Sequence, residues 1–254
     1  MSDRAHSNPI DVLGVRVDRT GAAALIDCAK LSIQSRRGEA ILPLNAHFLN
    51  LAYENRWLQE YVNRDVDHAV ADGKGVLLAA RLLGKGPPEQ IRFADWVWRL
   101  FRIAVEQKFT VFFLGADQVT LEAAVRRVRR ELPELRLVGF HHGYLENDMM
   151  ENRNVLQQIS SLSPDILLLG MSMPVEERWL MTNKAFLRCG VYVFGAGCFE
   201  WLGGKIRVPP RWASNFYVEW LYRLFREPNR LWRRYLWGNP LFLMRVVKQA
   251  WRAR

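Results

Sequence analysis

Short apolar runs alternate along most of the chain with longer stretches in which apolar positions recur at helical spacing. The runs predicted as strands are 39–44, 66–71, 109–115, 135–141, 165–170 and 190–195. The stretches predicted as helices include 46–62, 73–84, 94–107, 117–131, 146–161 and 174–188. Runs such as TVFFLG and DILLLG are typical of strands buried on both faces. The pattern therefore predicts an α/β fold with an open, mostly parallel sheet built from Rossmann-like βαβ units.

This alternation ends between about residues 196 and 212, where a Gly- and Pro-rich segment is predicted to be a linker. We expect two domains, an α/β core over 1–204 and a helical appendage over 205–254. The appendage has 12 Lys and Arg residues against two acids, so it accounts for the whole formal charge of +10. It also holds five of the ten tryptophans.

Three interpretations of this basic, Trp-rich appendage follow from its composition. Lys and Arg beside Trp suit an anionic membrane surface, and this interpretation is favoured. A helical pair docked on the core, with a solvated basic face, is the second. Nucleic acid binding, with Arg on phosphates and aromatic rings stacked on bases, is the least favoured.

One carboxylate, Asp72, follows the predicted strand 66–71 and precedes Gly73 and Gly75. It belongs either to an ordinary turn or to a ligand site, because open α/β sheets bind ligands at the carboxyl ends of their strands. Polar or glycine residues also follow the other predicted strands: Asn45, Gly115, Gly143, Gly170, Gly195 and Gly197. Their coincidence at one edge points to a phosphate-bearing or nucleotide ligand.

Several common types of site are excluded because the chain lacks the sequence motifs that form them. The chain has no G-x-G-x-x-G after a first strand, no G-x-x-x-x-G-K-[ST] and no G-x-S-x-G. Its three cysteines form neither a C-x-x-C pair nor an even-numbered disulfide framework. The polar amino terminus predicts no secretory signal, and no apolar run reaches the length of a spanning helix. We expect a cytoplasmic protein.

Two further motifs carry weaker signals. Asp65 and Asp67 form a D-x-D pair of the kind that holds a metal on sugar nucleotides, but the pair precedes its strand, which favours a solvated turn. His141 and His142 offer a base or metal ligands, although no H-x₃-H or H-E-x-x-H surrounds them. A catalytic role for this pair is the less favoured interpretation.

Several motifs in order resemble the WecG/TagA/CpsF family of bacterial glycosyltransferases across roughly residues 10–240. The most specific are D-G-x-G at 72–75, P-x-x-E-x-W at 174–179, E-W-L-Y-R-L at 219–224 and E-P-x-R at 227–230. The resemblance implies transfer of a sugar from UDP to a sugar linked through diphosphate to a polyprenyl lipid, during polysaccharide assembly at the inner face of the bacterial plasma membrane. It also implies inversion at the anomeric carbon without an essential metal.

By the same resemblance Asp72 is the catalytic base, and 1–204 is the catalytic core. The tail arginines would neutralise the departing diphosphate. The expected substrate-binding residues are Asn45, Gly73, Gly75, Asp95, Gly115, Gly170, Glu176, Gly197, Arg207, Arg223, Arg230 and Arg233. The expected partners are a UDP-sugar donor, the lipid-linked acceptor and an anionic membrane surface, with a homo-oligomer left open and no nucleic acid.

The chain departs from the family pattern in the presumed sugar pocket. Pro43 stands where the family has a hydroxyl residue, Glu176 follows Val175 in place of the family's K-Q, and Gln90 replaces an arginine. We therefore expect a hexosyl donor in exopolysaccharide assembly, with UDP-N-acetylmannosamine as the alternative. A non-catalytic membrane or nucleic-acid adaptor is the alternative from a different class.

Overall fold

The structure is a computed structural model that describes residues 8–145, 148–207 and 219–252, without the side chains of Glu219 and Arg230. Its strands are β1 Ile10–Val12, β2 Val15–Val17, β3 Glu39–Leu44, β4 His68–Ala71, β5 Thr110–Gly115, β6 Arg136–His141, β7 Ile166–Gly170 and β8 Val191–Phe194. Within these ranges β3 to β8 form one parallel sheet in the order β4-β3-β8-β7-β5-β6. The predicted α/β class and parallel sheet are confirmed.

The helices cover both faces of this sheet. They are α1 Ala22–Gln34, α2 Ala46–Glu54, α3 Arg56–Asp65, α4 Lys74–Leu82, α5 Phe93–Glu106, α6 Gln118–Glu131, α7 Met149–Leu162, α8 Val175–Asn183, α9 Cys198–Leu202, α10 Glu219–Arg226, α11 Pro228–Trp232 and α12 Gly238–Arg252. A π-helical turn over Arg233–Trp237 joins α11 to α12.

Alternate side chains of the central strands enter two separate cores. In β7, Leu167 and Leu169 join one cluster, whereas Ile166 and Leu168 join the other. The first cluster packs against α2, α3, α4 and α12, and the second packs against α1, α5, α6 and α9. Strands covered on both faces in this way must be apolar at successive positions.

Two sequence predictions need correction, and two further elements are absent from the prediction. The helix predicted over 46–62 is interrupted at Asn55, whose extended backbone ends α2 and starts α3. The predicted linker over 196–212 contains α9, because Cys198, Phe199 and Leu202 are buried in the second core. The β1–β2 hairpin and α1 were not predicted. The hairpin turns at Leu13 and Gly14, both with positive φ, and a Leu-Gly turn lacks the Asn-Gly or Asp-Gly signal of such turns.

The last helix, α12, packs on the core of the same chain. Phe242 and Val246 are buried in the first cluster. Arg245 forms a 2.6 Å ion pair with Glu54 of α2 and stacks over Tyr53 at 4.5 Å from the ring centre. The boundary between two domains at residue 204 stays a prediction, and this helix shares its hydrophobic core with the sheet.

Candidate active site

A cleft of about 810 Å³ lies at the carboxyl edge of the sheet. Every strand of the sheet contributes to its wall through the residues that follow it, which are Asn45, Asp72, Ala116, Tyr144, Ser172 and Gly195. Residues from α10 to α12 close the cleft on another side. The strand ends that the sequence predicts to meet at one edge therefore do surround a common space, as expected for an open α/β sheet.

Asp72 is held on this wall by the backbone around it. Its N–H donates a 2.7 Å hydrogen bond to the carbonyl oxygen of Leu44, at the end of the neighbouring strand β3. Gly73 follows with a φ of +93° and is the N-cap residue of α4. Because a side chain at this φ is strained, glycine is required for the sharp exit from β4. The carboxylate is thus placed at a backbone turn that leaves it on the cleft wall.

Asn45 has a capping role as well as a place in the cleft. Its Oδ1 accepts a 3.0 Å hydrogen bond from the N–H of Phe48, which caps the first turn of α2. The same oxygen lies 3.4 Å from Nη2 of Arg234. One side chain therefore joins the start of α2 to the carboxyl-terminal segment.

Five arginines line the cleft: Arg92, Arg207, Arg223, Arg233 and Arg234. Five carboxylates line it as well: Glu54, Asp72, Asp117, Glu200 and Glu227. The wall is therefore a mixture of charges and not a uniformly basic surface. Arg223 of α10 and Arg233 and Arg234 of the π-helical turn bring cations from the folded part of the appendage to the same space as the carboxylate at the end of β4.

Glu176 has a position different from the one predicted for a substrate ligand. It is buried, and it is absent from the described wall of the cleft. Its Oε2 accepts a 2.9 Å hydrogen bond from the N–H of Met171, and its Oε1 accepts one of 2.8 Å from the N–H of Ala196. Burial raises the pKa of this carboxyl, while the hydrogen bonds from backbone N–H groups lower it. Glu176 therefore ties together the loops that follow β7 and β8.

The predicted glycines divide into two groups. Gly170 and Gly197 line the cleft, whereas Gly73, Gly75 and Gly115 are not among its described wall residues. At Gly115 a Cβ would lie 2.3 Å from the carbonyl of Gly170, so this glycine permits close packing of two neighbouring strand ends. The structure thus shows a packing requirement for glycine at this position, and its contact with a substrate stays a prediction.

Asp95 is not in the described wall of the cleft either. It lies in the first turn of α5 and forms a 3.2 Å ion pair with Arg92, which does line the cleft. The structure thus places Asp95 behind an arginine of the wall. The side chain of Arg230 lies outside the described part of the chain, and so do residues 208–218, which include the end of the predicted linker.

Sequence reasoning missed His47 and Arg234. Burial lowers the pKa of His47 to about 4, and the nearby charge of Arg234 acts in the same direction. His47 is the second residue after Asn45, so its position just after the end of β3 is a sequence signal for a place near the cleft. Arg234 had no such signal, because its approach to Asn45 depends on how the carboxyl-terminal segment folds back.

The acids of the D-x-D pair lie around the turn before β4 and make contacts within the chain. Asp67 accepts a 2.9 Å hydrogen bond from the N–H of Ala40 and lies 3.9 Å from Nζ of Lys184. Asp65 pairs with its neighbour Arg64 at the end of α3. Neither acid is part of the described cleft wall. These contacts join the turn before β4 to the start of β3.

Known proteins similar to this chain point to one kind of chemistry. The model of the glycosyl transferase WecG/TagA/CpsF family matches residues 10–254. Two curated relatives from Staphylococcus aureus, strains MW2 and NCTC 8325, are named N-acetylglucosaminyldiphosphoundecaprenol N-acetyl-beta-D-mannosaminyltransferase. Each is 27% identical over 250 residues, which cover 98% of this chain and 96% of the relative.

Proposed function

Because the chain belongs to the WecG/TagA/CpsF family of glycosyl transferases, we propose that it transfers N-acetylmannosamine from UDP to a polyprenyl-diphosphate-linked N-acetylglucosamine. The names of its relatives support this sugar better than the unsubstituted hexose expected from the sequence departures. The hexosyl donor is therefore replaced by the alternative. The activity takes place at the inner face of the bacterial plasma membrane, where the lipid acceptor is anchored.

The observation that carries the proposal is the meeting of Asp72 with Arg223, Arg233 and Arg234 in one cleft. A nucleotide-sugar reaction with inversion needs a base on one side of the anomeric carbon and cations around the departing diphosphate on the other. The cleft supplies both kinds of group from different parts of the chain. Its volume of about 810 Å³ lies within the range usual for small-molecule sites.

The reaction follows from this arrangement in a single displacement. The Asp72 carboxylate takes the proton of the acceptor hydroxyl as that oxygen attacks the anomeric carbon of the donor. The bond from the anomeric carbon to the diphosphate oxygen breaks, and UDP departs with the bonding electron pair. Arginine side chains stabilise the charge on the departing oxygen through charge-assisted hydrogen bonds.

The carboxyl-terminal segment supports association with a membrane surface. Its exposed apolar side chains are Trp220, Phe225, Trp232, Leu236, Trp237, Met244, Val247 and Trp251. Arg226, Lys248 and Arg252 lie along the same helices. Large aromatic residues among cations suit the interface of an anionic bilayer. In the described ranges, no helix combines the length and the apolar character needed to cross a membrane.

The test is a donor screen with a short-chain lipid acceptor, read as UDP release. UDP-N-acetylmannosamine is compared with UDP-N-acetylglucosamine and UDP-glucose at equal concentration, each with and without the acceptor. We expect turnover that requires the acceptor and is at least tenfold faster with N-acetylmannosamine. Faster turnover with UDP-glucose would restore the hexosyl donor. If none of the donors releases UDP, and if UDP does not raise the Tm of the protein, the non-catalytic adaptor is favoured.

A further inference from the structure

His141, the last residue of β6, and His142 after it are not used by the reaction described above, but they form a compact cluster with an acid of α7. Nε2 of His142 lies 3.1 Å from Oε1 of Glu151, and Nε2 of His141 lies 3.7 Å from the same oxygen. The candidate ligand atoms of these three residues all lie within 4.8 Å of one another. We propose that His141, His142 and Glu151 bind one divalent transition-metal ion of the zinc type.

The distances fit the geometry that such an ion requires. Zinc binds imidazole nitrogen at about 2.0–2.1 Å and carboxylate oxygen at about 2.0–2.2 Å, so tetrahedral ligand atoms lie about 3.3–3.5 Å apart. The 3.1 Å and 3.7 Å separations to Glu151 lie on either side of that range. The three side chains are partly exposed, so rotation about their side-chain bonds can bring the ligand atoms closer to one ion.

The hydrogen bonding of His141 prepares it as a ligand. Its Nδ1 lies 2.9 Å from the carbonyl oxygen of His142, an oxygen that can only accept a hydrogen bond. This contact places the proton of the neutral ring on Nδ1 and leaves a lone pair on Nε2, the nitrogen that lies 3.7 Å from Oε1 of Glu151. A backbone carbonyl that orients the second nitrogen in this way is a common support for metal-bound histidine.

The donor set selects the class of metal. Two imidazoles and one carboxylate suit zinc and neighbouring transition metals, whereas Mg²⁺ and Ca²⁺ prefer sites made of oxygen ligands. Three protein ligands leave a fourth tetrahedral position for water or for a substrate oxygen. The site therefore differs from the acid-rich metal sites that hold a diphosphate on Mg²⁺.

The cluster lies at the edge of the cleft. Tyr144, two residues after His142, lines the cleft, and its ring centre is 6.3 Å from that of His142. The N–H of Gly143 donates a 3.0 Å hydrogen bond to the carbonyl oxygen of Ala116, also a wall residue. An ion that joins β6 to the first turn of α7 would thus hold in place the segment that carries Tyr144.

The test uses the metal-free full-length chain titrated with Zn²⁺ by calorimetry, with thermal unfolding as a second measurement. We expect one equivalent to bind and to raise the Tm, because the ion binds the folded state. Glu151→Gln and His141→Gln should each lower the affinity at least tenfold and remove the rise in Tm. Mg²⁺ at the same concentration should leave the Tm unchanged.

Cys28→Ser serves as the matched control, since Cys28 is a partly exposed thiol elsewhere on the chain. It should bind Zn²⁺ as the parent does. Unchanged binding in both cluster variants, loss of binding in Cys28→Ser, or no saturable binding to the parent would each overturn the site, leaving His–Glu ion pairs only. The two cluster variants are judged separately, so one that fails to fold does not decide the outcome. None of these measurements depends on glycosyl transfer.

Discussion

The carboxylate of Glu176 accepts a 2.8 Å hydrogen bond at Oε1 from the backbone N–H of Ala196. Its other oxygen accepts the N–H of Met171, so one buried side chain joins the loops after β7 and β8. Ala196 and Ser172, which lie in these loops, both line the cleft. Glu176 therefore positions two parts of the wall without touching the space between them.

Glu176→Gln should lower kcat/KM about tenfold to a hundredfold. The amide keeps one acceptor oxygen, so one of the two backbone N–H groups meets an NH₂ group and loses its partner, at a cost of about 1–3 kcal/mol. The Tm should fall as well. Glu177→Gln is the matched control, because neither carboxyl oxygen of Glu177 has a hydrogen-bond partner within the described residues. Equal kinetics for both variants would contradict the positioning role.

Asp72→Asn should lower kcat about 10²–10⁴-fold, since an amide cannot take the proton of the acceptor hydroxyl. The N–H contact of residue 72 with Leu44 involves only the backbone, so the Tm should stay close to that of the parent. Steady-state UDP release and thermal unfolding measure the two effects. Asp27→Asn on α1, whose side chain is largely exposed, is the control. A folded Asp72→Asn with parental turnover would remove Asp72 from the mechanism.

Arg233→Gln should weaken the binding of UDP. Loss of a cation from the cleft wall should reduce kcat/KM about tenfold to a hundredfold and lessen the rise in Tm that UDP produces. Arg129→Gln on α6 is the control, because Arg129 is exposed and lies outside the described wall. If UDP stabilises Arg233→Gln as strongly as the parent, this arginine does not contact the diphosphate.

His47 should make the free energy of unfolding depend on pH. Its pKa is lowered to about 4, first by burial and then by Arg234, whereas Glu54 acts in the opposite direction. Between about pH 6.5 and 4 the unfolded chain binds a proton that the folded chain does not. Stability is therefore lost as the pH falls through this window, by at most about 1.4 kcal/mol per unit from this residue.

His47→Gln lacks this contribution, so its stability relative to the parent should improve as the pH falls from 7 to 4.5. Urea unfolding of both proteins at several pH values measures the difference. Parallel curves for the two proteins would show that the pKa of His47 is not lowered by folding.

Removing exposed aromatic groups from the appendage should weaken membrane binding. Phe225 and Trp251 are 79% and 76% exposed, so their replacement costs little folding stability. The double variant Phe225→Ser, Trp251→Ser should bind anionic vesicles at least tenfold more weakly in a sedimentation assay, with an unchanged Tm. Val119→Ser, at a site 74% exposed on α6, is the control. Equal binding by all three proteins would contradict the membrane role of the appendage.

The sequence by itself determined the class of fold and the edge where the site lies. Short apolar runs such as DILLLG, which alternate with longer helical stretches, are typical of strands covered on both faces, and the carboxyl ends of parallel strands meet at one edge. For that reason the sequence predicts that Asn45, Asp72 and Gly170 lie at one edge, and all three line the cleft. Local patterns of this kind depend on a few neighbouring residues, which the chain displays directly.

Only the tertiary structure decided which side chains line the cleft at that edge and which are buried and hold the loops of its wall in place. Glu176 matches a ligand motif but is buried under two loops, because its oxygens satisfy N–H groups from distant segments. Arg234 reaches Asn45 across 189 residues, and Phe242 enters the core beside the sheet. Such contacts arise from packing between segments far apart in the chain, and no local periodicity records them.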